Sequence, residues 1–556
     1  MLYKIADFWD NKYTTLLLIL CGIYWVLLLH IPLPNFGGYG MDLPTNMFAW
    51  CFAGIIVLIT WWLLSDSTLY TTRTWWLLFV GSALMTLPVL WAPSSDGVQL
   101  ATPRLLGMWS GVVFYLTLLQ YRFSNVHRRL ILVILAISAF VSCVMALIGV
   151  YAPQWLPEDQ KLLVQNHGRA AVGIFQQVNV TASYLGVGLS AMLTIFGICR
   201  SNAFAVLSGL SVCMVSAALT LLNSRTGWLG GIIVVLAIYI LFSQRAFSIT
   251  YQRKIATILL PVLGLIVGLM LKFAFTSETI RSYETSTNQR LLTLWYTLDM
   301  IKVHPWKGWG LGMFEIAFQE WMANLPGINP SREMMQHPHN ETLFIWAEGG
   351  LIAIIGGLCF IGAFFSLVFR ANSLSQWAML IATLPVLLHT QLEFPLYYSV
   401  PHFLTLLILM SSCDIVKGES KILNRKYTYV LLMISAVTAI ILVLWSLYCT
   451  RILTLFEHQK LDAPRKITTL VVPWYLRARY NHDLSLLNLL EWPKHQDPNL
   501  LDQFLNGNNS WLRLQMDADM YFNQIRVLEY QGRKDESEAW KTRAHRLFPT
   551  DERFEN

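Results

Sequence analysis

The chain has 556 residues, of which 55% are hydrophobic and 13% are charged. Soluble domains carry about 25% charged residues, so the composition excludes a soluble enzyme, which would need far more polar surface. The aromatic share of 13% also excludes disordered and fibrous chains. The composition therefore indicates an all-α, polytopic integral membrane protein whose apolar runs form spanning helices.

The chain carries 40 lysines and arginines against 33 aspartates and glutamates, a formal net charge of +7. In a membrane protein this excess normally lies in cytoplasmic loops, so it predicts no nucleic-acid partner. The 8 cysteines form no CxxC pair, and we expect neither a metal site nor a disulfide framework. The first apolar run lacks a small-residue cleavage site, so we interpret it as a membrane span.

Apolar stretches along the chain approach the roughly 20 residues that cross a bilayer. They predict about 13 transmembrane helices, near residues 13–31, 46–64, 74–92, 105–121, 129–151, 178–198, 203–222, 226–243, 255–274, 343–369, 374–390, 395–413 and 428–448. Pro385, Pro395 and Pro401 interrupt two of the last three stretches, which makes these two the weakest members of the set.

Lysines and arginines orient the spans, because they accumulate in cytoplasmic loops. They gather in one alternate set of loops: Arg122, Arg128, Arg129, Arg200, Arg245, Arg253, Lys254, Arg370, Lys417, Lys421, Arg425 and Lys426. We therefore predict a cytoplasmic N-terminus and, with an odd number of spans, an external C-terminal tail. In a bacterial envelope this corresponds to the inner membrane, with the tail in the periplasm.

Two predicted external segments are too long to be simple connectors. One is the loop 275–342, and the other is the tail 449–556, so we divide the chain into a membrane domain, 1–448, and a helical periplasmic tail. The tail sequence predicts a helix, a turn at Gly532 and a second helix ending at Pro549, with the spacing of one tetratricopeptide-like pair. A generic helical cap fits equally well, and neither interpretation puts chemistry in the tail.

Three arginines lie on the predicted outer side, against the positive-inside bias: Arg169, Arg225 and Arg290. The planar guanidinium fork matches phosphate oxygens. Three forks at the outer rim therefore suit a membrane-embedded anion such as a lipid diphosphate. A single arginine in a wet loop, or one that snorkels, needs no ligand, but three on one side favour the anion.

Two histidines, His337 and His339, flank Pro338 at the mouth of a predicted span. An imidazole there titrates near neutral pH and can take a proton from an attacking hydroxyl. A lone histidine at a helix start is more often a polar contact or a cap. The following Asn340 and the arginines on the same side favour the catalytic interpretation. Zinc is a poorer alternative, because no third ligand follows at a standard spacing.

Two carboxylates, Glu348 and Glu393, lie in apolar surroundings. Each could pair with an arginine, orient a histidine or stay protonated, and structural pairing is favoured for both. The glycines at positions 308, 310 and 312 predict a tight backbone segment close to the membrane or to a ligand.

Several motifs between residues 165 and 413 occur together in one known family. They are the run from Asn288 to Phe314 with Arg290, Trp295, His304-Pro305 and Gly308 to Gly312, and His339-Asn340 followed by Gly350. This combination resembles the O-antigen ligase and polymerase superfamily of bacterial envelopes. The superfamily motif usually continues with Gly, Thr or Tyr where this chain has Ala353. The segment 169–179, the group around Glu393 and the long tail are similar, more specifically, to O-linked protein oligosaccharyltransferases, the pilin-glycosylation ligases.

The resemblance implies a glycosyltransferase that uses neither a nucleotide sugar nor a metal, so we expect no cofactor. A preassembled oligosaccharide arrives on undecaprenyl diphosphate at the periplasmic face and is transferred en bloc to a serine or threonine of a pilin-like acceptor protein. The expected catalytic base is His339, and the sequence leaves His337 open as the alternative. The expected substrate-binding residues are Arg169, Arg225, Arg290, Gln176, Gln177, Asn179, His337, Asn340 and Glu393, of which His337 and Glu393 have supporting roles.

Two alternatives stay open. A ligase that joins O-antigen to lipid A core, or a polymerase that extends lipid-linked repeats, would use the same donor with another acceptor. A transporter of a lipid-linked glycan is an alternative of a different class, although the sequence has no clear internal repeat of the kind found in transporters.

Overall fold

The computed structural model describes residues 12–33, 43–63, 69–158, 161, 173–275, 284–327, 329–331, 334–415, 425–459 and 464–555. Within these ranges the regular elements are all helices, with no β-strand, and the predicted all-α fold class is confirmed. Arg169, one of the predicted diphosphate ligands, lies outside the described residues.

The helices are numbered in chain order. The first nine are α1 (Lys12–Gly22), α2 (Pro44–Leu63), α3 (Arg73–Thr86), α4 (Ser95–Leu119), α5 (Asn125–Tyr151), α6 (Val178–Ile198), α7 (Asn202–Leu221), α8 (Arg225–Ser243) and α9 (Tyr251–Phe275). The middle of the chain forms α10 (Glu284–Val303), α11 (Phe314–Ala323), α12 (Glu341–Val368), α13 (Leu374–Thr390), α14 (Pro395–Tyr398), α15 (Val400–Cys413) and α16 (Arg425–Glu457). The tail adds α17 (Arg477–His495), α18 (Pro498–Trp511), α19 (Ala518–Tyr530) and α20 (Lys534–Leu547).

Among the described residues, 10 helices are long and apolar enough to cross a membrane. They are α1 and α3 with their short helical extensions, α2, α5 to α9, α12 and α16. Two further predicted spans coincide with the shorter apolar helices α13 and α15. The predicted stretch 105–121 overlaps α4, which begins ten residues earlier, ends at Leu119 and carries the polar residues Asp96, Gln99 and Arg104. The chain is therefore a multi-pass membrane protein.

The chain forms two compact units, each built from separate stretches of sequence. Unit 1 comprises residues 1–79, 109–280 and 360–441, and unit 2 comprises residues 80–108, 281–359 and 442–556. The division of the chain at residue 448 that we predict from composition stays a prediction.

Helix α6 lies at the centre of unit 1, with 83% of its most apolar window buried. Small residues allow its neighbours to approach closely, as is common where helices pack in membranes. A Cβ at Gly188 would lie 2.0 Å from the Cβ of Ala139 in α5, and a Cβ at Gly186 would lie 2.8 Å from Pro385 in α13. Helices α5 and α13 can therefore pack directly on the α6 backbone.

A buried ion pair ties together several helices of unit 1. The carboxylate of Asp414 lies 3.1 Å from the guanidinium of Arg370. It also accepts hydrogen bonds from the hydroxyls of Thr72, at 2.5 Å, and Tyr115, at 3.1 Å. These donors compensate a carboxylate that has no solvent exposure, as a buried charge requires.

The described tail residues of unit 2 are helical. Helices α19 and α20 form an antiparallel pair joined by a turn at Gly532, whose φ of +73° is a left-handed conformation that glycine adopts readily. Tyr521 and Ala544 are fully buried in the core of this pair. The predicted helix, turn and helix are present. Helix α16 continues to Glu457, nine residues beyond the predicted end of the last span.

Candidate active site

Helix α12 is broken at Gly350, in the part of the helix that belongs to unit 2. Gly350 has φ +68° and ψ −160°, which interrupts the helical hydrogen-bond ladder. The backbone groups released by the break bond instead to the segment that follows α10. The carbonyls of Ala347 and Glu348 accept from the N–H groups of Trp309 (2.8 Å) and Gly310 (3.0 Å), and the N–H of Leu351 donates to the carbonyl of Trp306 (3.2 Å). Two carbonyls and one N–H group at the break are therefore paired outside the helix, as a low-dielectric environment favours.

The glycines of the 308–312 segment fit this close backbone contact. A Cβ at Gly308 would lie 2.4 Å from the carbonyl oxygen of Glu348, and a Cβ at Gly312 would lie 2.1 Å from that of Gly97 in α4. Gly350 faces the same restriction, because its Cβ would lie 2.2 Å from the carbonyl oxygen of Trp306. The tight backbone segment that we predict from these glycines is present, and it packs on α12 and α4.

Glu348 is almost fully buried and forms an ion pair with Arg104 of α4. Its Oε1 also accepts from the backbone N–H of Gly312, at 3.1 Å, and of Phe314, at 3.4 Å. The carboxylate thus lies at the N-terminus of α11, where the helix dipole favours a negative charge. The sequence favours a structural ion pair for Glu348, and the structure contains one. The sequence does not identify Arg104 as the partner.

The two histidines adopt different roles in the turn that precedes α12. His337 is 5% exposed, and its Nδ1 accepts a hydrogen bond from the backbone N–H of His339 at 2.9 Å. Burial holds the pKa of His337 well below its usual value of 6.5, with smaller contributions from His339 and Arg104. A neutral His337 therefore orients its neighbour, whereas His339 is partly exposed and is the better candidate for proton transfer.

His339 is held in a left-handed conformation, with φ +57°. Such a conformation costs roughly 1–3 kcal/mol for a non-glycine residue and often accompanies a functional site. The next residue, Asn340, accepts a hydrogen bond from the N–H of Leu343 at 2.9 Å through its side-chain oxygen. Asn340 therefore caps α12, which fixes the turn that presents His339.

A residue with a left-handed backbone also precedes the N-cap residue of two other helices, both of which begin in unit 1. Gln176 (φ +56°) precedes the N-cap residue Gln177 of α6, and Asn223 (φ +53°) precedes the N-cap residue Ser224 of α8. Gln176 is buried.

Arg225 is the first residue of α8 and is largely exposed. In unit 2, Arg290 lies in the second turn of α10 and is partly buried.

A network of buried polar side chains surrounds Glu393 in unit 1. Its carboxylate accepts from the side-chain N–H groups of Gln177 (3.1 Å) and Asn179 (2.6 Å), and it lies 3.0 Å from Nε2 of His389. Ser224 donates to the oxygen of Asn179 at 2.6 Å. Glu393 therefore connects the starts of α6 and α8 with the end of α13, as the favoured structural pairing predicts.

Four members of this network are absent from our sequence-based site: Ser224, His389, Ser183 and His402. Nδ1 of His389 lies 3.0 Å from Oγ of Ser183, and Nε2 of His402 lies 3.3 Å from the same oxygen. Both imidazoles are fully buried. The four-residue spacing of His389 and Glu393 places them on one helical face, a signal in the sequence that could have identified this pair.

The structure thus places six of the predicted site residues in two groups, which do not include Arg225, Arg290 or Gln176. Gln177, Asn179 and Glu393 are in mutual contact in unit 1, and the His337–Asn340 turn forms the second group in unit 2. The fold and these groups define a multi-pass membrane protein with ionisable side chains at the ends of its spans, where charged groups are costly and usually functional.

Two segments of the chain match known families. Residues 209–361 match the family described as O-antigen ligase. Residues 377–556 match the family described as virulence factor membrane-bound polymerase, C-terminal. The first match contains Arg225, Arg290, His337, His339 and Asn340, and the second contains Glu393. Together the matches support the O-antigen ligase and polymerase superfamily, and with it a glycosyl-transfer activity in general. No curated protein matches the chain significantly.

Proposed function

We propose that the protein transfers a preassembled glycan en bloc from undecaprenyl diphosphate to a serine or threonine hydroxyl of a periplasmic acceptor protein such as a pilin. The observation that carries this proposal is the turn before α12, where the partly exposed His339 is held beside the buried, neutral His337. This turn belongs to the segment that matches the O-antigen ligase family.

His339 acts as the general base. Its imidazole removes the proton from the acceptor hydroxyl while the hydroxyl oxygen attacks the anomeric carbon of the glycan. The bond between this carbon and the phosphate oxygen breaks, and the lipid diphosphate leaves with the electron pair. The products are the glycosylated acceptor, the lipid diphosphate and a protonated His339. Direct displacement inverts the anomeric centre, and a product with the donor configuration would overturn this step.

Arginines stabilise the leaving diphosphate. We assign this role to Arg169, Arg225 and Arg290, because guanidinium groups stabilise charge that develops in the transition state. Gln176 and the amides of Gln177 and Asn179 contact the glycan or its phosphate. Each carboxamide carries two N–H groups, so the bond to Glu393 leaves a second N–H of Gln177 and of Asn179 for this contact.

The proposed location is the bacterial inner membrane, with His339 facing the periplasm. It is supported by the distribution of lysines and arginines over alternate loops. The donor lipid then lies in the outer leaflet, and no cofactor takes part in the reaction.

A second candidate is an O-antigen ligase or polymerase, which transfers the same glycan to lipid A core or to another lipid-linked repeat. The descriptions of the two matching families favour this candidate. The resemblance of the segment 169–179 and of the tail sequence to the protein-modifying ligases favours a protein acceptor instead, although the tail lies within the segment that matches the polymerase family.

Reconstitution tests these candidates. Purified protein in detergent is mixed with an undecaprenyl diphosphate-linked oligosaccharide and either a pilin or lipid A core, and products are analysed by intact mass. We expect the pilin to gain the mass of one whole glycan. A product on lipid A core alone, or longer lipid-linked chains, would replace our proposal with the second candidate. No glycosylated product with any acceptor would favour a transporter.

A further inference from the structure

We infer that Arg104 and Glu348 are positioning residues for His339, and that they act through Phe344 and His337. The inference rests on the proposed role of His339 as the base. Arg104 belongs to α4 and Glu348 to α12, and all five residues lie in unit 2.

The ion pair fixes the guanidinium of Arg104 in place. The side chains of Arg104 and Glu348 are 19% and 4% exposed, so the pair is largely buried. The second carboxylate oxygen is held by the backbone N–H groups of Gly312 and Phe314. Removal of either charge would leave the other largely buried and uncompensated, so the ion pair holds the guanidinium against the carboxylate.

The guanidinium also contacts the ring that supports His337. It lies over the Phe344 ring, 4.6 Å from the ring centroid, a favourable cation–π distance. The His337 imidazole packs on the same ring, with 4.4 Å between the ring centroids. A continuous chain of contacts therefore leads from Glu348 to the residue that accepts the N–H of His339.

The charge of Arg104 favours the form of His337 that makes this bond. A neutral imidazole can accept at Nδ1, whereas a protonated imidazole carries hydrogens on both nitrogens and would direct an N–H at the N–H of His339. Among the described residues, the charges of His339 and Arg104 lower the pKa of His337 in addition to burial, and Glu348 forms an ion pair with Arg104. A nearby cation disfavours a second cation, so Arg104 helps to keep the turn intact.

The first experiment compares Arg104→Met and Arg104→Lys in the reconstituted transfer reaction. Loss of the charge should lower kcat by about 10- to 100-fold, as misplacement of a catalytic group does, while KM for the lipid-linked donor stays within about twofold. The acid limb of the kcat profile should move to higher pH, because His337 then protonates more readily. Arg104→Lys should retain the wild-type acid limb. Wild-type kinetics and pH profile in Arg104→Met would overturn the inference.

A double variant separates positioning from simple pairing. Arg104→Met combined with Glu348→Gln removes both charges, and the amide oxygen can still accept the N–H groups of Gly312 and Phe314. We expect its acid limb to stay shifted like that of Arg104→Met. Full recovery of the wild-type profile would show that only the uncompensated charge of Glu348 matters, and would overturn the inference.

Arg370→Met is the matched control, since it removes a buried arginine–carboxylate pair from unit 1. It should lower the melting temperature and leave the acid limb of the pH profile unchanged. An equal shift of the acid limb in this control would overturn the inference, because the shift would then follow from any lost ion pair.

A chemical probe tests the inference without the transfer reaction. Diethyl pyrocarbonate modifies accessible neutral imidazoles, and peptide mass spectrometry can report His337 relative to the exposed His304. At pH 8, where protonation of His337 does not slow the reaction, we expect His337 to be protected in the wild type and in Arg104→Lys, and to be modified several-fold faster in Arg104→Met. Unchanged protection in Arg104→Met would overturn the inference. An inactive wild type would overturn the proposed function instead, and this probe would still report on the turn.

Discussion

The Nδ1 atom of His337 accepts the backbone N–H of His339 at 2.9 Å. The sequence leaves open which of these histidines is the base, and this hydrogen bond favours His339. A buried imidazole whose lone pair already accepts a hydrogen bond is poorly suited to take a proton from a substrate. We therefore keep His339 as the proposed base and assign His337 to the turn that orients it.

Replacement of His339 by alanine should abolish transfer. General base catalysis contributes about 10²- to 10⁴-fold in rate, so kcat should fall by at least about 100-fold. Membrane insertion and donor binding should persist, as measured by thermal stability and retention of the labelled lipid-linked donor. His304→Ala is the control, since His304 is exposed and lies outside the turn. Full activity of His339→Ala would remove the assignment of the base.

Asparagine should replace His337 better than phenylalanine does. The side-chain oxygen of asparagine can occupy the position of Nδ1 and accept the N–H of His339, whereas phenylalanine fills the volume without an acceptor. We expect His337→Asn to retain most of kcat and His337→Phe to lose about tenfold or more, measured in the same transfer assay. Equal activity of the two variants would argue that the hydrogen bond does not orient the base.

A methyl group at Gly350 should destabilise unit 2. Alanine at φ +68° is strained, and its Cβ would lie 2.2 Å from the Trp306 carbonyl oxygen, so we expect a cost of roughly 2 kcal/mol or more. Gly357→Ala is the control in the same helix, because the nearest atom to its Cβ is 3.9 Å away. Thermal unfolding in detergent measures both variants. A neutral Gly350→Ala would contradict the described break in α12.

Removal of the charge of Glu393 should loosen the polar network of unit 1. Glutamine replaces one carboxylate oxygen by an N–H donor, which then faces the donors of Gln177, Asn179 or His389. We expect a loss of about 1–3 kcal/mol of stability, as when a buried polar group is left unsatisfied. Glu538→Gln removes only an exposed pair with Lys541 and should leave the melting temperature unchanged. Equal effects of the two substitutions would argue against a central role of Glu393.

The tail should be less stable at alkaline pH because of Glu315 in α11. Burial raises the pKa of its carboxyl from 4.5 to about 7, although the N–H of Met516 and the side chain of Gln336 act in the opposite direction. The folded state thus favours the protonated carboxyl group. The contribution of Glu315 to the free energy of unfolding is therefore present below pH 4.5 and is lost as the pH rises through about 7. The change amounts to at most about 3 kcal/mol.

Glu315→Gln should remove this part of the pH dependence, since an amide can still accept the N–H of Met516 without ionising. Melting temperatures between pH 5 and pH 8 measure the effect. Asp483, whose pKa burial raises to about 6, acts in the same direction and remains in the variant. The comparison therefore uses the difference between wild type and variant, and identical slopes would contradict the role of Glu315.

The sequence predicts the membrane helices well, because an apolar run of about 20 residues has few stable alternatives in a bilayer. It also predicts a close backbone contact at Gly308 to Gly312, since glycine removes the Cβ that would prevent one. It does not identify what lies in contact. The ion pair of Arg104 and Glu348 joins residues 244 positions apart, and no local pattern relates them.

The polar network of unit 1 was predicted in part. Gln177, Asn179 and Glu393 belong to the expected site, but Ser183 and His402 do not, because a serine or histidine within an apolar run carries no pattern that indicates its partner. The role of His337 could not be derived either. It depends on burial and on the left-handed backbone of His339, and both follow from tertiary packing.

The break in α12 has a consequence for biosynthesis. The segment from Trp306 to Gly310 that completes the hydrogen bonds of the broken helix precedes that helix in the chain. The ribosome therefore synthesises the segment from Trp306 to Gly310 before α12. The peptide groups at the break can then form their hydrogen bonds with this segment as soon as α12 is synthesised. A circular permutation that reversed this order would insert the broken helix, with unpaired carbonyl groups, before the segment that supplies their hydrogen-bond donors had been synthesised.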